Sequence, residues 1–259
     1  MQGRKLSYRL FGFTLIELLV VISIIALLIG ILLPALGGAR DAANRLKGST
    51  QVRGINQSLL MYAQSNNSRY PGLAGDGRLE TAADIAGSSE NGAHPGARFV
   101  ILLDANYFTG EYAISPAESG KTEWTTTGTP IGSEQFSFAM LALDMDDDGV
   151  TDASDRSDEW SETLNTEAKL MGDRNTGADA DGMASSVHTD LDGGDWRGSV
   201  ASGDGSVVFE IQQTLDTRFG NGVFFEDDNL FAEDADPSGS TAAGAAWVYQ
   251  DNRRLVDQD

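Results

Sequence analysis

The sequence predicts an α+β protein, in which one long N-terminal helix is followed by a head of short strands. From Leu18 to Ala39 no residue is charged, and this apolar run is long enough for an extended helix. After residue 66 the apolar residues come in short stretches separated by Gly, Asn, Asp and Pro, a pattern typical of strands and turns. A helix that precedes a set of strands is the element order of an α+β fold.

The apolar run has the length and composition of a transmembrane helix. About 20 residues that each rise ~1.5 Å cross the ~30 Å hydrocarbon core of a bilayer. The bases Arg4, Lys5 and Arg9 precede the run, and the single acid Glu17 lies near its start. An unpaired carboxylate in lipid costs several kcal/mol, so the sequence predicts a partner charge for Glu17.

A secretory signal peptide also combines a basic flank with an apolar segment. This run is longer than the usual signal core, and residues 35–39 form a poor cleavage site. The small residue that stands out is Gly12, which lies before the run. We therefore expect the apolar segment to stay on the mature protein.

The helix is expected to continue beyond the apolar run to about Ser65. Val52, Ile55 and Leu59 recur at helical spacing, and residues 66–71 carry turn signals that end the helix. Gly30, Pro34 and the pair Gly37–Gly38 are expected to bend it or unwind it locally. The predicted divisions are a basic leader at 1–12, a transmembrane and assembly helix at 13–39, an amphipathic continuation at 40–66 and an acidic globular head at 67–259.

Several segments of the head have strand character. Residues 135–143 alternate, and Asp204-Gly205 between two β-prone runs is a strong hairpin signal. Residues 98–103 fit either a helix or a strand, residues 112–116 resemble a strand, and residues 245–249 fit a last short strand.

The six residues from Gly12 to Glu17 resemble the cleavage and methylation motif of type IV pilins and type II secretion pseudopilins. The resemblance implies cleavage after Gly12 by prepilin peptidase and N-methylation of the new terminal Phe13. It also implies that Glu17 pairs with the Phe13 amine of a neighbouring subunit. An alternative for Glu17 is a simple acid near the helix N-terminus, where the helix dipole favours it.

The same resemblance implies a pilin-like fold, in which the second half of the long helix packs on a small antiparallel sheet. The expected partners are copies of the chain or related pilin-like subunits, the prepilin peptidase and the inner membrane, with the head exported to the periplasm or the cell surface. Residues 106–109, 112–116, 194–198 and 204–205, with His188 upstream, resemble heads of pilin-like proteins of planctomycete-type bacteria.

An acidic loop at residues 144–155 has the spacing of a calcium site. Calcium prefers six to eight oxygen ligands, and a glycine at the sixth position of such a loop permits the required turn. The pattern resembles EF-hand loops and thrombospondin-type calcium repeats, and a solvated acidic loop is the alternative. The candidate Ca²⁺ ligands are Asp144, Asp146, Asp148, Val150, Asp152 and Asp155.

Composition narrows the functional classes. The formal net charge is −21, and removal of residues 1–12 makes it −24, which argues against nucleic-acid binding. The chain has no cysteine, so disulfides and thiolate sites are excluded. The histidines are His94 and His188. The sequence contains no glycine-rich phosphate-binding loop, no HExxH zinc-binding motif and no serine nucleophile elbow, so we do not expect an enzyme.

These observations predict a structural subunit of a type II secretion pseudopilus or a type IV pilus-like fibre, with a head that calcium stabilises. The alternative is a membrane-anchored surface protein that is displayed singly and binds calcium or another ligand.

Overall fold

A computed structural model of the protein describes residues 14–89, 91–143, 159–178, 184–189, 196–219 and 224–231, together with the backbone of 247–248. The chain forms two compact units, Met1–Ala42 and Ala43–Asp259. The first unit contains the N-terminal part of helix α1 (Leu15–Ala63), and the second contains the rest of α1 and the head.

The N-terminal part of α1 exposes its apolar side chains. Every large apolar side chain from Leu15 to Leu36 is between 45% and 86% exposed. Within the described residues, α1 is the one helix that is long and apolar enough to cross a membrane. Burying one such side chain is worth roughly 1.5–3 kcal/mol, so this surface strongly favours a covering of lipid or of other apolar helices.

The expectation that glycine and proline unwind α1 is wrong. Helix is continuous through Gly30, Pro34 and the Gly37–Gly38 pair. Proline cannot donate to the carbonyl four residues earlier, and its ring crowds that carbonyl. Here the residue four positions earlier is Gly30, whose backbone adjusts without a side chain. The apolar segment therefore tolerates Pro34 as an internal residue of one helix.

The second part of α1 buries one face in the head. Its completely buried apolar residues are Val52, Ile55, Leu59 and Ala63, at the three- and four-residue spacing of a helix. The helix ends where Asn67 and Ser68 adopt positive φ values of 53° and 60°, and the Ser68 amide donates to the Ala63 carbonyl at 3.0 Å. Helix α1 ends at Ala63, two residues before the predicted end at Ser65, and the predicted turn at residues 66–68 is confirmed.

A second helix, α2 (Pro95–Asp104), follows a long irregular segment. Pro95 occupies the first turn, where a missing amide proton costs nothing, and His94 Nδ1 accepts the Gly96 amide at 3.0 Å. The expected strand at 112–116 is wrong, because Gly110–Ala113 forms a turn of 3₁₀ helix.

The head contains a five-stranded antiparallel sheet with the spatial order β6-β5-β2-β1-β9. Two small two-stranded sheets, β3–β4 and β7–β8, accompany it. The strands are β1 (Phe138–Leu141), β2 (Lys169–Asp173), β3 (Gly177–Ala178), β4 (Ala184–Ser185), β5 (Gly198–Ser202), β6 (Val207–Glu210), β7 (Thr214–Arg218), β8 (Phe224–Asn229) and β9 (Trp247–Val248).

The predicted hairpin around Asp204-Gly205 is confirmed as β5–β6. Gly205 has a φ of +85°, which a side chain would strain, and Asp204 Oδ1 accepts the Ser206 amide at 2.9 Å. The Ser202 amide then donates to the Ser206 carbonyl at 3.0 Å and closes the turn.

Helix α1 packs on this sheet within the second unit, as the pilin resemblance implies. The Asn56 side-chain amide donates to the Ser202 carbonyl at 3.0 Å, and the hydroxyls of Ser49 and Ser199 lie 2.8 Å apart. Both contacts join the helix to β5. The fold is therefore α+β and pilin-like.

A buried arginine connects several segments of the head. Arg98 of α2 is 0% exposed, and its guanidinium donates to the carbonyls of Gly92 at 2.8 Å, Leu141 at 2.7 Å and Ala93. The guanidinium carbon also lies 4.8 Å from the centroid of the Trp160 ring. Burial lowers the pKa of Arg98 to about 9, so the group remains charged at neutral pH.

Replacement of Arg98 by Met should destabilise the head strongly. Three buried carbonyls lose their donor, and leaving buried polar groups unsatisfied costs about 1–3 kcal/mol each, so a loss of roughly 3 kcal/mol or more is expected in denaturant unfolding of the full chain. The control is Arg78→Met, because Arg78 is exposed and solvent screens its ion pair with Asp84, so this variant should lose little stability. Equal losses in the two variants would contradict this role of Arg98.

Candidate functional site

The N-terminus of α1 is closed by a capping box between Thr14 and Glu17. Glu17 Oε2 accepts the Thr14 amide at 2.9 Å and the Thr14 hydroxyl at 2.8 Å. In return, Thr14 Oγ1 accepts the Glu17 amide at 3.2 Å. Ser or Thr followed three residues later by Glu or Gln is the sequence signature of this motif, and it satisfies amides that a helix start leaves without partners.

This geometry gives Glu17 a role within its own chain. Its carboxylate is exposed, and all of its hydrogen bonds to the described residues go through Oε2. Oε1 is therefore available to a charge from another molecule. The capping box and an intermolecular ion pair are compatible, and the assignment of Glu17 to assembly remains a prediction.

The other predicted site residues lie outside the described residues. Gly12 and Phe13 come directly before Thr14, where the description begins. All predicted calcium ligands lie in the undescribed range 144–158, namely Asp144, Asp146, Asp148, Val150, Asp152 and Asp155. Within the ranges that the structure describes, no three His, Asp or Glu side chains converge as a metal site.

A buried cluster around Asp173 was not predicted from the sequence. The Asp173 side chain, at the end of β2, accepts the Ser199 amide through Oδ2 at 2.7 Å. The same oxygen lies 3.7 Å from Nε2 of His188. The Ser199 hydroxyl in turn contacts Ser49 of α1. The cluster thus connects β2, β5, a loop histidine and helix α1.

This cluster has the residue types of a catalytic triad without its accessibility. Ser199 is 0% exposed and Asp173 is 1% exposed, so no substrate reaches the hydroxyl. Asp204 does not belong to this cluster, because it lies in the β5–β6 turn, where its Oδ1 accepts the Ser206 amide. The geometry supports a structural role, in which Asp173 orients β5 and approaches His188.

Burial raises the pKa of Asp173 to about 6, although its hydrogen bonds from Ser199 act in the opposite direction. The negative charge of Glu118 adds a smaller increase. Glu118 itself lies 3.2 Å from the Lys121 ammonium and contacts Arg174. A buried acid beside this charged group is expected to make head stability depend on pH.

Asp173→Asn should stabilise the protein more at pH 7.5 than at pH 4.5. The unfolded chain releases this proton near pH 4 and the folded chain near pH 6, so the folded state binds more protons between these values. Stability is therefore lost as the pH rises through this window, by up to roughly 3 kcal/mol, and Asn removes that loss. Thermal unfolding of the full chain at both pH values measures the difference.

The matched control is Asp227→Asn, which changes an exposed carboxyl. Its melting temperature relative to the unsubstituted protein should stay nearly constant between the two pH values. If Asp173→Asn behaves in the same way, the buried carboxyl does not titrate in this range and the pH dependence has another origin.

Comparison with known proteins identifies the N-terminal segment that contains the capping box as a known sequence motif. Residues 11–33 match the family model described as the prokaryotic N-terminal methylation motif. This match and the packing of α1 on an antiparallel sheet define the chain as a pilin-like protein.

Relatives identify the particular family. The chain is 30% identical over 124 residues to "Type II secretion system core protein G" of Pectobacterium carotovorum. The aligned region covers 47% of this chain and 78% of the relative. The protein of the same name from Klebsiella michiganensis is 30% identical over 126 residues, with 48% and 86% covered. That of Aeromonas hydrophila is 31% identical over 133 residues, with 49% and 86% covered.

The chain belongs to the family of type II secretion system core protein G, a pseudopilin family. The match spans most of each relative and about half of this chain, so this chain is considerably longer than those relatives. No solved structure matches the chain significantly.

Proposed function

We propose that this protein is a structural subunit of a type II secretion pseudopilus, matured by cleavage after Gly12 and N-methylation of Phe13. The observation that carries the proposal is the uncovered apolar part of α1, which bears an acid in its first turn. The name of the relatives, type II secretion system core protein G, favours the secretion pseudopilus over other pilus-like fibres.

The apolar part of α1 acts in two environments in this proposal. Before assembly it anchors the protein in the inner membrane, with the bases Arg4, Lys5 and Arg9 of the leader on the cytoplasmic side and the head exported. In the fibre the same side chains pack against the corresponding helices of other subunits. Each apolar side chain so buried contributes roughly 1.5–3 kcal/mol relative to exposure in water.

Glu17 sets the register of this packing. Apolar helices slide past one another at little cost, whereas a buried charge that finds its partner in one position only fixes the alignment. The partner in the proposal is the N-terminal amine of Phe13 in a neighbouring subunit, created by the prepilin peptidase. The function is therefore assembly with copies of the chain or related subunits and not catalysis.

Calcium binding to the 144–155 loop is a further part of the proposal. The support is the donor set, since five carboxylates and one carbonyl could supply the six or more oxygens that calcium prefers. These carboxylates repel one another without a cation, so bound calcium would stabilise the head.

Glu17→Gln tests the acid–amine pair separately from the helix cap. Glutamine also serves at this position of a capping box, so α1 should still form and insert. The neutral amide cannot form the ion pair, and fibre yield in cells that carry the secretion apparatus should fall at least tenfold. Glu17→Ala, which loses both the cap and the charge, should be at least as defective.

Intact mass spectrometry is the control for both Glu17 variants, because each should show the same cleavage after Gly12 and the same methyl group as the parent protein. A Glu17→Gln protein that is processed normally and yields as much fibre as the parent would contradict the register role. A protein that never assembles, whether or not Glu17 is changed, would instead fit a singly displayed anchor.

Calcium should raise the melting temperature of the full chain, and Asp146→Ala together with Asp148→Ala should abolish the rise. A ligand at 100 times its Kd stabilises the folded state by about 2.7 kcal/mol, which corresponds to a shift of several degrees. Asp216→Ala, an exposed acid outside the loop, serves as the control and should keep the shift. The absence of any shift in the unsubstituted protein would remove the calcium site.

A further inference from the structure

One face of α1 in the second unit is exposed, and no residue in the described part of the chain covers it. Its residues follow a helical stripe with spacings of three and four, and both ends of the stripe are apolar. Leu46 is 71% exposed and Met61 is 47% exposed. The stripe consists of Leu46, Thr50, Arg53, Gln57 and Met61, with Lys47 beside it, and all of these residues are exposed.

The charged residue of this stripe, Arg53, is positive, whereas the chain as a whole is acidic. Of the four bases between residues 42 and 75, Arg53 lies on the stripe and Lys47 lies beside it, whereas the formal net charge of the chain is −21. Arg45 is partly covered, with its guanidinium 5.4 Å from the Phe209 ring centroid, and Lys47 lies 3.5 Å from Glu111. Arg53 is exposed and forms no ion pair with any residue in the described ranges.

A complementary surface lies on the β7–β8 hairpin of the same unit. Asp216, Glu226 and Asp227 are exposed there, and Phe224 is 39% exposed. The register of the hairpin shifts between Leu215 and Thr217, and the Asp227 amide donates to Asp216 Oδ1 at 3.2 Å. This contact holds the Asp216 carboxylate against the backbone of Asp227. Among the described residues, none of the three carboxylates forms an ion pair.

We propose that the exposed stripe of α1 is a docking surface for the β7–β8 hairpin of a second copy of this chain, with Arg53 facing the hairpin carboxylates. The proposal rests on the pseudopilus function and adds to it a contact between subunits outside the apolar helix bundle. Apolar side chains are present on both surfaces, and their charges are opposite, so the two surfaces match in chemistry.

The stripe and the hairpin are different patches of one molecule. This difference determines the symmetry of the assembly that they support. A contact between unlike patches is heterologous, and it propagates from copy to copy as a ring or an open helix. A symmetric dimer would instead use one self-complementary patch. The proposed contact therefore extends a fibre, because every added subunit offers a new hairpin or a new stripe.

Lipid headgroups are another class of partner for exposed bases. The stripe from Leu46 to Met61 is ~22 Å long, whereas the headgroup region on one side of a bilayer is roughly 5–8 Å thick. Headgroups alone do not explain an exposed apolar residue at each end of so long a stripe. The observations favour a protein partner, and the test below includes lipid as an outcome.

The experiment uses the absence of cysteine from the chain, which makes introduced thiols unique. One full-length copy carries Gln57→Cys on the stripe, and a second carries Gln212→Cys next to β7; both glutamines are exposed. The two copies are produced together in cells that carry the secretion apparatus, and a flexible bismaleimide links them. The measured quantity is the yield of cross-linked dimer.

Adding Arg53→Glu to the first copy should lower the yield at least fivefold, because it places like charges opposite each other. Adding Asp216→Lys and Glu226→Lys to the second copy alone should lower it similarly. Combining the reversed stripe with the reversed hairpin should restore the yield to within twofold of the parent pair, and this rescue also shows that both variants fold. Arg78→Glu, which makes the same charge change at an exposed base outside both surfaces, should leave the yield unchanged.

An unchanged yield with Arg53→Glu, or a lowered yield that the reversed hairpin does not restore, would overturn the proposal. The cross-linking is repeated with the two copies reconstituted in lipid vesicles. If Arg53→Glu lowers the dimer yield in vesicles that contain phosphatidylglycerol but not in vesicles of phosphatidylcholine alone, Arg53 binds anionic lipid and the proposal is overturned. If Glu17→Gln abolishes cross-linking while Arg53→Glu does not, only this contact is wrong and the pseudopilus function stands. If the parent pair does not cross-link and forms no fibre, both proposals fail.

Discussion

Val52, Ile55 and Leu59 of α1 are completely buried in the head, and this packing is the contact on which the rest of the molecule depends. It fixes the helix to β5 through Asn56 and Ser49, and it leaves the opposite face of α1 exposed. Toward its N-terminus the same helix exposes its large apolar side chains from Leu15 to Leu36. One continuous element therefore has a buried face that holds the head together and exposed surfaces that folding of the head does not require.

Features that depend on local sequence were predicted successfully. The length of α1, its stop at residues 66–68 and the β5–β6 hairpin follow from apolar periodicity and from turn residues that act on their immediate neighbours. The 112–116 segment failed because Tyr and Ile favour strands on average, whereas Gly110–Ala113 forms a 3₁₀ turn in its tertiary setting. Local preference is a weak guide where packing decides the conformation.

The clusters around Arg98 and Asp173 had no local signal. Arg98 binds a carbonyl 43 residues away, and Asp173 accepts an amide 26 residues away, so neither set of partners can be read from spacing in the sequence.

At Glu17 the sequence pattern is compatible with two roles. Thr14 and Glu17 satisfy the rule for a capping box, and the same residues occupy the motif that the pilin resemblance assigns to processing and assembly. One carboxylate can serve both, because the cap uses a single oxygen.

The arginine at the centre of the head has a consequence for how the head reaches its native state. Small domains outside the cytoplasm often depend on covalent cross-links, whose formation requires an oxidant and sometimes an isomerase. In this head a guanidinium joins residues 92, 93 and 141 through hydrogen bonds alone. Since the chain has no cysteine, the head folds without thiol oxidation, and reductants in its surroundings have no disulfide to break.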